Sequence, residues 1–253
     1  MKKILVTNDD GIGAAGLRKL VEALEPMAEV YVSAPMVQHS AKSQSITFLH
    51  EVDVSEQKIA GAKAAWAVHG TPTDCVKIGL LRMKEMGIKP DHVISGINMG
   101  YNTGLAVYYS GTVAAAREGA LNGIHSIALS VGSHEASKFC YMLDNLPYIL
   151  ELSEKAPEDC FLNVNAPNVL AADMNGIKIA PTAPFGYGLL FSFAPTKSGN
   201  YQLTGEPTYT GDEPVYDMDW NNEGYMTISP VPTAVDDSKL LKQLAKAAEK
   251  IHD

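Results

Sequence analysis

Apolar and polar positions along the chain alternate between two periods. Short apolar runs at residues 3–7 and 29–34 predict buried strands. Between them, four apolar residues fall on one face of a helix, namely Leu17, Leu20, Val21 and Leu24. A strand, a helix and a second strand in this order predict a parallel sheet covered by helices.

The same alternation continues through the first two thirds of the chain. It predicts a helix at residues 71–86, a strand at 91–95, a helix at 112–121 and a strand at 124–130. A further helical stretch begins at Glu135, and Pro147 should kink or divide it. Because open parallel sheets bind ligands beyond the carboxyl ends of their strands, we expect the loops after Thr7, Ala34 and Ser95 to share one edge.

The pattern changes after Pro167. Short strand-like pieces at residues 176–180, 201–204 and 224–228 lie between Gly, Pro, Asn and Thr, which predicts β-hairpins instead of further crossovers. The tail from Asp236 is predicted to be a helix with one apolar side, formed by Leu240, Leu241, Leu244, Ala248 and Ile251. We therefore predict an α/β core over residues 1–167 and a β-rich extension with a C-terminal helix over residues 168–253, although a single domain remains an alternative.

Composition and charge exclude several classes of protein. The net charge is -9 and the basic residues form no run, which argues against binding to a nucleic-acid duplex. No stretch reaches the roughly 18 apolar residues of a membrane span, and the first residues lack a secretory signal, so we expect a cytoplasmic protein without a membrane partner. The three cysteines, Cys75, Cys140 and Cys160, are far apart, as expected of reduced thiols.

The first chemical signal is the sequence Asn8-Asp9-Asp10-Gly11, which follows the first strand. Asn, Asp and Gly favour turns, so a simple turn is one interpretation. The position at the carboxyl end of a strand favours a ligand site instead. Two adjacent carboxylates repel each other, and a hard cation such as Mg²⁺ or Mn²⁺ would neutralise them, whereas the lack of a nearby His or Cys argues against zinc.

The same loop also fits a dinucleotide-binding turn. Gly11, Gly13 and Gly16 have the spacing G-x-G-x-x-G between a strand and a helix, so a nicotinamide-dependent oxidoreductase is an alternative. Two observations argue against it. Asp9 and Asp10 would repel a pyrophosphate, and the second strand ends without the acidic residue that holds a ribose hydroxyl.

Three further segments carry polar groups suited to binding. Residues 38–45 form a loop rich in hydroxyl groups, and residues 95–104 combine glycines with two asparagines directly after a buried strand. Ser110 is placed to cap a helix that opens with Gly111 and Thr112, and the free amides of that helix favour an anion such as phosphate. An ordinary capped helix, packed closely through its alanines, is the alternative for this last segment.

Taken together, these motifs resemble the SurE (stationary-phase survival protein E) family of 5'-nucleotidases. The resemblance rests on motifs in the family's order, at residues 8–11, 40–47, 70–75, 95–102 and 109–119. Looser matches at residues 163–167 and 224–230 extend it over nearly the whole chain. The set is far more specific than any single motif.

The resemblance implies a three-layer, Rossmann-like α/β fold with a mostly parallel sheet. It also implies a phosphomonoesterase that hydrolyses nucleoside 5'-monophosphates, and in some members 3'-monophosphates and polyphosphate. One Mg²⁺ or Mn²⁺ ion per subunit would be held by four ligands, Asp9, Asp10, Ser40 and Asn98. The two aspartates would also be catalytic. The substrate phosphate would be held by four further residues, Asn102, Ser110, Gly111 and Thr112. A homodimer or homotetramer is implied as well.

The chain departs from the usual family pattern at two positions near the expected metal. Ala41 stands where a glycine commonly follows the metal-site serine, and Gly13 lies within the first loop. Neither departure removes a ligand, so we expect changed affinity and substrate preference and retained activity. His39 is adjacent to Ser40, but a single histidine is more often a packing or surface residue than a catalytic one. A protein that binds nucleotide and metal without turnover remains an alternative, because ligand motifs do not report the position of water.

Overall fold

The structure is a computed structural model that describes residues 1–208, 211, 213–233 and 241. Its strands are β1 (Lys2–Thr7), β2 (Ala28–Pro35), β3 (Val54–Gln57), β4 (Ala62–Val68), β5 (His92–Met99), β6 (His125–Val131), β7 (Cys160–Ala166), β8 (Ile177–Ile179), β9 (Leu189–Pro195), β10 (Tyr201–Pro207) and β11 (Met226–Pro232). Its α-helices are α1 (Ala15–Leu24), α2 (Pro72–Glu85), α3 (Ala106–Tyr109), α4 (Gly111–Leu121), α5 (Cys140–Asp144), α6 (Leu146–Lys155) and α7 (Asp217–Asn222). Two short 3-10 helices lie at Ala136–Phe139 and Ala171–Asp173.

The main sheet is mostly parallel, as the alternation of elements predicted. Within the described residues its strand order is β3-β4-β2-β1-β5-β6-β7-β11-β8. The strands from β4 to β7 run parallel to one another, whereas β3 is antiparallel to β4 and β11 is antiparallel to β7. β9 and β10 form a separate two-stranded antiparallel sheet.

Helices cover both faces of the sheet, which gives three layers. The side chains of β1 alternate between them: Ile4 and Val6 pack in one apolar cluster with α1 and α6, whereas Leu5 packs in another with α2 and α4. All three side chains are fully buried. A strand buried on both faces is typical of a parallel sheet inside helical layers, and the predicted α/β fold is confirmed.

The strand order changes direction beside β1. The chain passes from β1 to β2 on one side of the sheet, and β5 pairs with β1 on the other side, with Thr7 opposite Ser95. The carboxyl ends of β1 and β5 therefore lie together at a topological switch point, where open α/β sheets bind their ligands.

Several sequence expectations change in the structure. β3, β4, β7 and β9 were not predicted as strands, and β8 and β11 extend the main sheet where hairpins were expected. The hairpin prediction is confirmed for β9 and β10. Pro147 does divide the helical stretch, since it stands in the first turn of α6 directly after α5 has ended. The helix predicted from Asp236 lies outside the described residues.

Among the described residues, no helix combines the length and the apolar character needed to cross a membrane.

The amino end of β5 carries a buried histidine. His92 is fully buried, and its Nε2 lies 3.0 Å from the Ser153 hydroxyl on α6. Burial disfavours the charged imidazolium and lowers the pKa of His92 from 6.5 to about 4, although Glu154 opposes this shift. The folded protein therefore holds His92 neutral at pH values where the unfolded chain would protonate it.

We expect His92 to lower the free energy of unfolding of the protein in mild acid. The stability that neutral His92 contributes is present in full above pH 6.5. It is lost as the pH falls toward 4, because over this range only the unfolded chain takes up the proton. The pKa shift corresponds to about 3 kcal/mol of unfolding free energy at most. Urea unfolding of wild type and His92→Gln at several pH values between 7 and 4 would measure the effect. The loss of stability should be smaller in the variant, and identical pH profiles would contradict the assignment.

Candidate functional site

A cavity of about 200 Å³ opens beyond the carboxyl ends of β1 and β5. Its lining comprises Asp9, Asp10, Gln38, Ser40, Ala41, Asn98, Met99, Asn102, Ala106, Tyr109, Ser110 and Phe191. All four predicted metal ligands are among these residues, together with two of the four predicted phosphate ligands. The loops after three different strands thus meet at one edge, as the sheet topology predicted.

The segment after β1 both forms a turn and contributes side chains to the cavity, so the two interpretations of its sequence apply together. Asn8 closes the turn, because its Nδ2 donates to the Gly11 carbonyl at 2.8 Å and its Oδ1 accepts from the Gly11 amide at 3.2 Å. Gly11 has a φ of 101°, which favours glycine. Asn8 and Gly11 therefore build the turn, and Asp9 and Asp10 between them line the cavity.

Asp9 is a buried carboxylate held in one orientation. Its side chain is 5% exposed, and Thr112 Oγ1 donates to its Oδ1 at 2.5 Å. Burial and, to a lesser degree, the charge of Asp10 raise the pKa of Asp9 to about 6, and the bond from Thr112 opposes this shift. A positive charge in the cavity would relieve this electrostatic cost.

The side chain of Gln38 links the side chains of Asp10 and Ser40 by hydrogen bonds. The Nε2 of Gln38 donates to Asp10 Oδ1 at 3.2 Å and to Ser40 Oγ at 3.0 Å. Burial raises the pKa of Asp10, although Gln38 and the Met99 backbone lower it in part. Across the part of the chain that the structure describes, neither Asp9 nor Asp10 forms an ion pair with a basic side chain.

The loop that carries Ser40 is held by backbone contacts on both sides. The His39 amide donates to the Asp9 carbonyl at 2.7 Å, and the Ser43 amide donates to the Tyr109 carbonyl at 3.0 Å. Ala41, directly after Ser40, has a φ of 56°. Glycine adopts such a conformation more easily than alanine, so Ala41 occupies a conformation that favours glycine.

Asn98 presents an oxygen atom for a ligand. Its Nδ2 donates to the Gly100 carbonyl at 2.9 Å, which sets the orientation of the amide, and no described group donates to Oδ1, which can therefore accept a cation. The four predicted ligands then offer two carboxylates, one hydroxyl and one amide oxygen. An all-oxygen set suits Mg²⁺ or Mn²⁺.

The predicted phosphate ligands lie beside this oxygen cluster. α4 begins at Gly111, and the Ser110 hydroxyl accepts from the Val113 amide at 3.2 Å as its N-cap. Thr112 is fully buried, and its hydroxyl is directed to Asp9. The Thr112 hydroxyl therefore orients a carboxylate, and the contribution of Gly111 and Thr112 to anion binding would come from their amides.

Asn102 lies on a loop that residues far along the chain hold in place. The buried Asp217 of α7 accepts hydrogen bonds from the Gly104 amide at 3.1 Å and from the Ala183 amide at 3.0 Å. Burial raises the pKa of Asp217, and these bonds from the backbone counteract that shift. The carboxylate thus joins the loop between β5 and α3 to the C-terminal part of the chain.

Two aromatic residues lie at the rim of the cavity: Tyr109, which belongs to the motif at residues 109–119 but was given no role, and Phe191, which was not singled out from the sequence. The rings of Tyr109 and Phe191 meet edge to face, with centroids 5.8 Å apart. Phe191 comes from β9, about 70 residues beyond the site motif at residues 109–119, and no local pattern marks it. His39 does not line the cavity, and burial lowers its pKa.

The glycines of the first loop serve packing and turn geometry. A Cβ atom on Gly16 would lie 2.0 Å from the Ile97 carbonyl oxygen, so Gly16 allows α1 to approach β5 closely. A Cβ atom on Gly13 would have no neighbour within 4 Å. The spacing that suggested a dinucleotide therefore has a structural origin at Gly11 and Gly16.

Comparisons with known proteins agree on one family. The family model described as Survival protein SurE matches residues 4–187. A protein from Pelotomaculum thermopropionicum named 5'-nucleotidase SurE is 37% identical over 249 residues, which cover 96% of this chain and 94% of that protein. A protein of the same name from Desulfatibacillum aliphaticivorans is 38% identical, with coverages of 95% and 96%. Among solved structures, the SurE protein from Aquifex aeolicus superposes with a TM-score of 0.81 at 31% identity, covering 97% of this chain and 99% of that one.

Proposed function

This chain belongs to the SurE family, and from that premise we propose that it is a divalent-metal-dependent 5'-nucleotidase. It would hydrolyse nucleoside 5'-monophosphates to nucleoside and phosphate. The observation that carries the proposal is the gathering of Asp9, Asp10, Ser40 and Asn98 around one cavity. The names of the relatives support the reaction class.

The oxygen cluster fits a hard cation in both charge and chemistry. Asp9 and Asp10 have raised pKa values because they are buried, and a cation would stabilise their charged forms. The hydrogen bond from Asn98 Nδ2 to the Gly100 carbonyl sets the orientation of the amide, and Asn98 Oδ1 can accept a cation. When bound, Mg²⁺ or Mn²⁺ supplies polarisation of a phosphoryl oxygen and activation of water.

The remaining residues would bind and orient the substrate. The side-chain amide of Asn102 and the Ser110 hydroxyl lie on the cavity wall, and the amides of Gly111 and Thr112 begin α4 beside them. Such donors hold a phosphate and stabilise the charge that develops during phosphoryl transfer. Asp9 and Asp10 are carboxylates in this cavity that can take up the proton released by the attacking water.

Phosphate release by the purified protein tests this function. After chelation, and again with Mg²⁺ or Mn²⁺ restored, the protein would be incubated with nucleoside 5'-monophosphates, their 3' isomers and polyphosphate. We expect release from the 5'-monophosphates to fall at least about a hundredfold on chelation and to return with metal, since a catalytic cation contributes several kcal/mol.

The other substrates show whether the activity extends to 3'-monophosphates and polyphosphate. Nucleotide binding without release under any metal would overturn hydrolysis and favour a sensor that binds without turnover. A homo-oligomer and a cytoplasmic location remain predictions from the sequence.

A further inference from the structure

Two buried asparagines on β7 contact the backbone of Asn102. Asn165 Oδ1 accepts from the Asn102 amide at 2.8 Å, and its Nδ2 donates to the Asn102 carbonyl at 3.2 Å. Asn163 Nδ2 donates to the same carbonyl at 2.7 Å. Asn163 and Asn165 are both fully buried. Both backbone polar groups of Asn102 are therefore fixed by side chains of a neighbouring strand.

The side chain of Asn102 is fixed as well. Its Nδ2 donates to the hydroxyl of Ser130, a fully buried residue near the end of β6, at 2.8 Å. An amide nitrogen has two hydrogen atoms, so one remains for another acceptor. Asn102 lines the cavity and is 6% exposed, so its side chain borders the space beyond the carboxyl ends of β1 and β5.

The asparagines of β7 stand where apolar residues would otherwise pack. Leu162, Val164 and Ala166 alternate with them and belong to the apolar core on one face of the sheet. On the other face, Phe161 is followed by Asn163 and Asn165. Buried amides are costly unless they are hydrogen-bonded. Asn163 Nδ2 and both side-chain polar atoms of Asn165 bond to a single loop residue, whereas Asn163 Oδ1 has no partner among the described residues. These hydrogen bonds therefore fix the orientation of Asn102.

We propose that Asn163, Asn165 and Ser130 are positioning residues, which hold Asn102 with one amide N–H directed at the substrate phosphate. This inference rests on the proposed function, since it assigns Asn102 to the phosphate. Asn221 supports the arrangement from α7, because its Nδ2 donates to the Asn165 carbonyl at 2.9 Å. The motif at residues 163–167, which the sequence left without a role, thereby acquires one.

Binding of inorganic phosphate and the kinetics of a nucleoside 5'-monophosphate test the proposal. Ser130→Ala and Asn165→Leu should each weaken phosphate inhibition and raise KM about tenfold, the size expected when a hydrogen bond to a charged group is weakened. The matched control is Ser126→Ala, which removes a buried hydroxyl from the other end of β6, where it donates to the Ile124 carbonyl. The control should leave KM and phosphate inhibition unchanged.

A double-mutant cycle separates positioning from a general structural role. In the Asn102→Ala background, Ser130→Ala should have no further effect on phosphate inhibition, because the group that it positions is absent. Additive effects would overturn the proposal. Should Asn165→Leu fail to fold, the Ser130→Ala cycle still decides. If wild type neither binds phosphate nor hydrolyses nucleotide, the proposed function fails; if wild type does both and the variants match it, only this inference fails.

Discussion

Asp9→Asn and Asp10→Asn are each expected to abolish phosphate release, lowering kcat at least about a thousandfold. An amide keeps the shape of the carboxylate and removes its charge, so the cluster would lose half of its formal negative charge. Thr112 can still donate to the oxygen of an asparagine at position 9. The loss would therefore reflect the bound cation and the proton acceptor, with the fold preserved.

The stability and the metal binding of these variants distinguish a loss of the cation from a loss of the fold. Since burial raises the pKa of both Asp9 and Asp10, the charged forms are penalised in the metal-free protein. Without metal, the Tm of either variant should therefore equal or exceed that of wild type. Calorimetric titration with Mn²⁺ should show weakened binding. Asp91→Asn, which removes a carboxylate that accepts from the Lys3 amide at the opposite end of the sheet, serves as the control with normal turnover. Near-normal turnover in Asp9→Asn or Asp10→Asn would contradict the assignment of these residues as metal ligands.

Gly111→Ala should damage the site through a single methyl group. A Cβ atom at position 111 would lie 2.8 Å from the Cβ of Asp9 and 3.1 Å from Pro72 Cγ. α4 cannot retreat easily, because Val113, Ala114 and Ala115 behind it are almost completely buried. We expect a loss of about 1–3 kcal/mol in unfolding free energy from overpacking.

The same methyl group should also lower activity. Displacing Asp9 by about 1 Å would cost about a hundredfold in kcat/KM. Gly13→Ala is the matched control, since a Cβ atom at position 13 in the first loop meets nothing within 4 Å. Kinetics and denaturant unfolding of both variants would measure the difference. Wild-type activity and stability in Gly111→Ala would show that the contact between α4 and Asp9 is not needed.

The central fold could be predicted because its signal is local. β1 carries buried apolar residues on both faces, and α1 repeats its apolar positions along one side, so each segment indicates its own conformation. β3 gives no such signal, because most of its residues are exposed. β11 gives a strand signal but no information on its partner, and its antiparallel pairing with β7 depends on the tertiary fold.

The candidate site was predictable to a similar degree. Asp9 and Ser40 follow β1 and β2, and Asn98 lies at the carboxyl end of β5, which extends past the predicted strand at 91–95; because these carboxyl ends share an edge, topology predicts that the three residues meet. Gln38 and Phe191 were not identified, because a single glutamine or phenylalanine has no pattern and their positions depend on how distant segments pack. Thr112 was identified as a phosphate ligand, whereas its hydroxyl contacts Asp9, a side-chain direction that spacing does not report.

The bond between Asp217 and Gly104 spans more than a hundred positions of the chain. All the residues predicted to hold metal and phosphate precede Pro167, as do Asn163 and Asn165, yet the loop that carries Asn102 is also anchored by Asp217, which lies beyond it. During synthesis on a ribosome, the chemical groups of the site are complete well before their anchor emerges. Full order at this centre is therefore expected late in translation, after Asp217 has been made and α7 has docked.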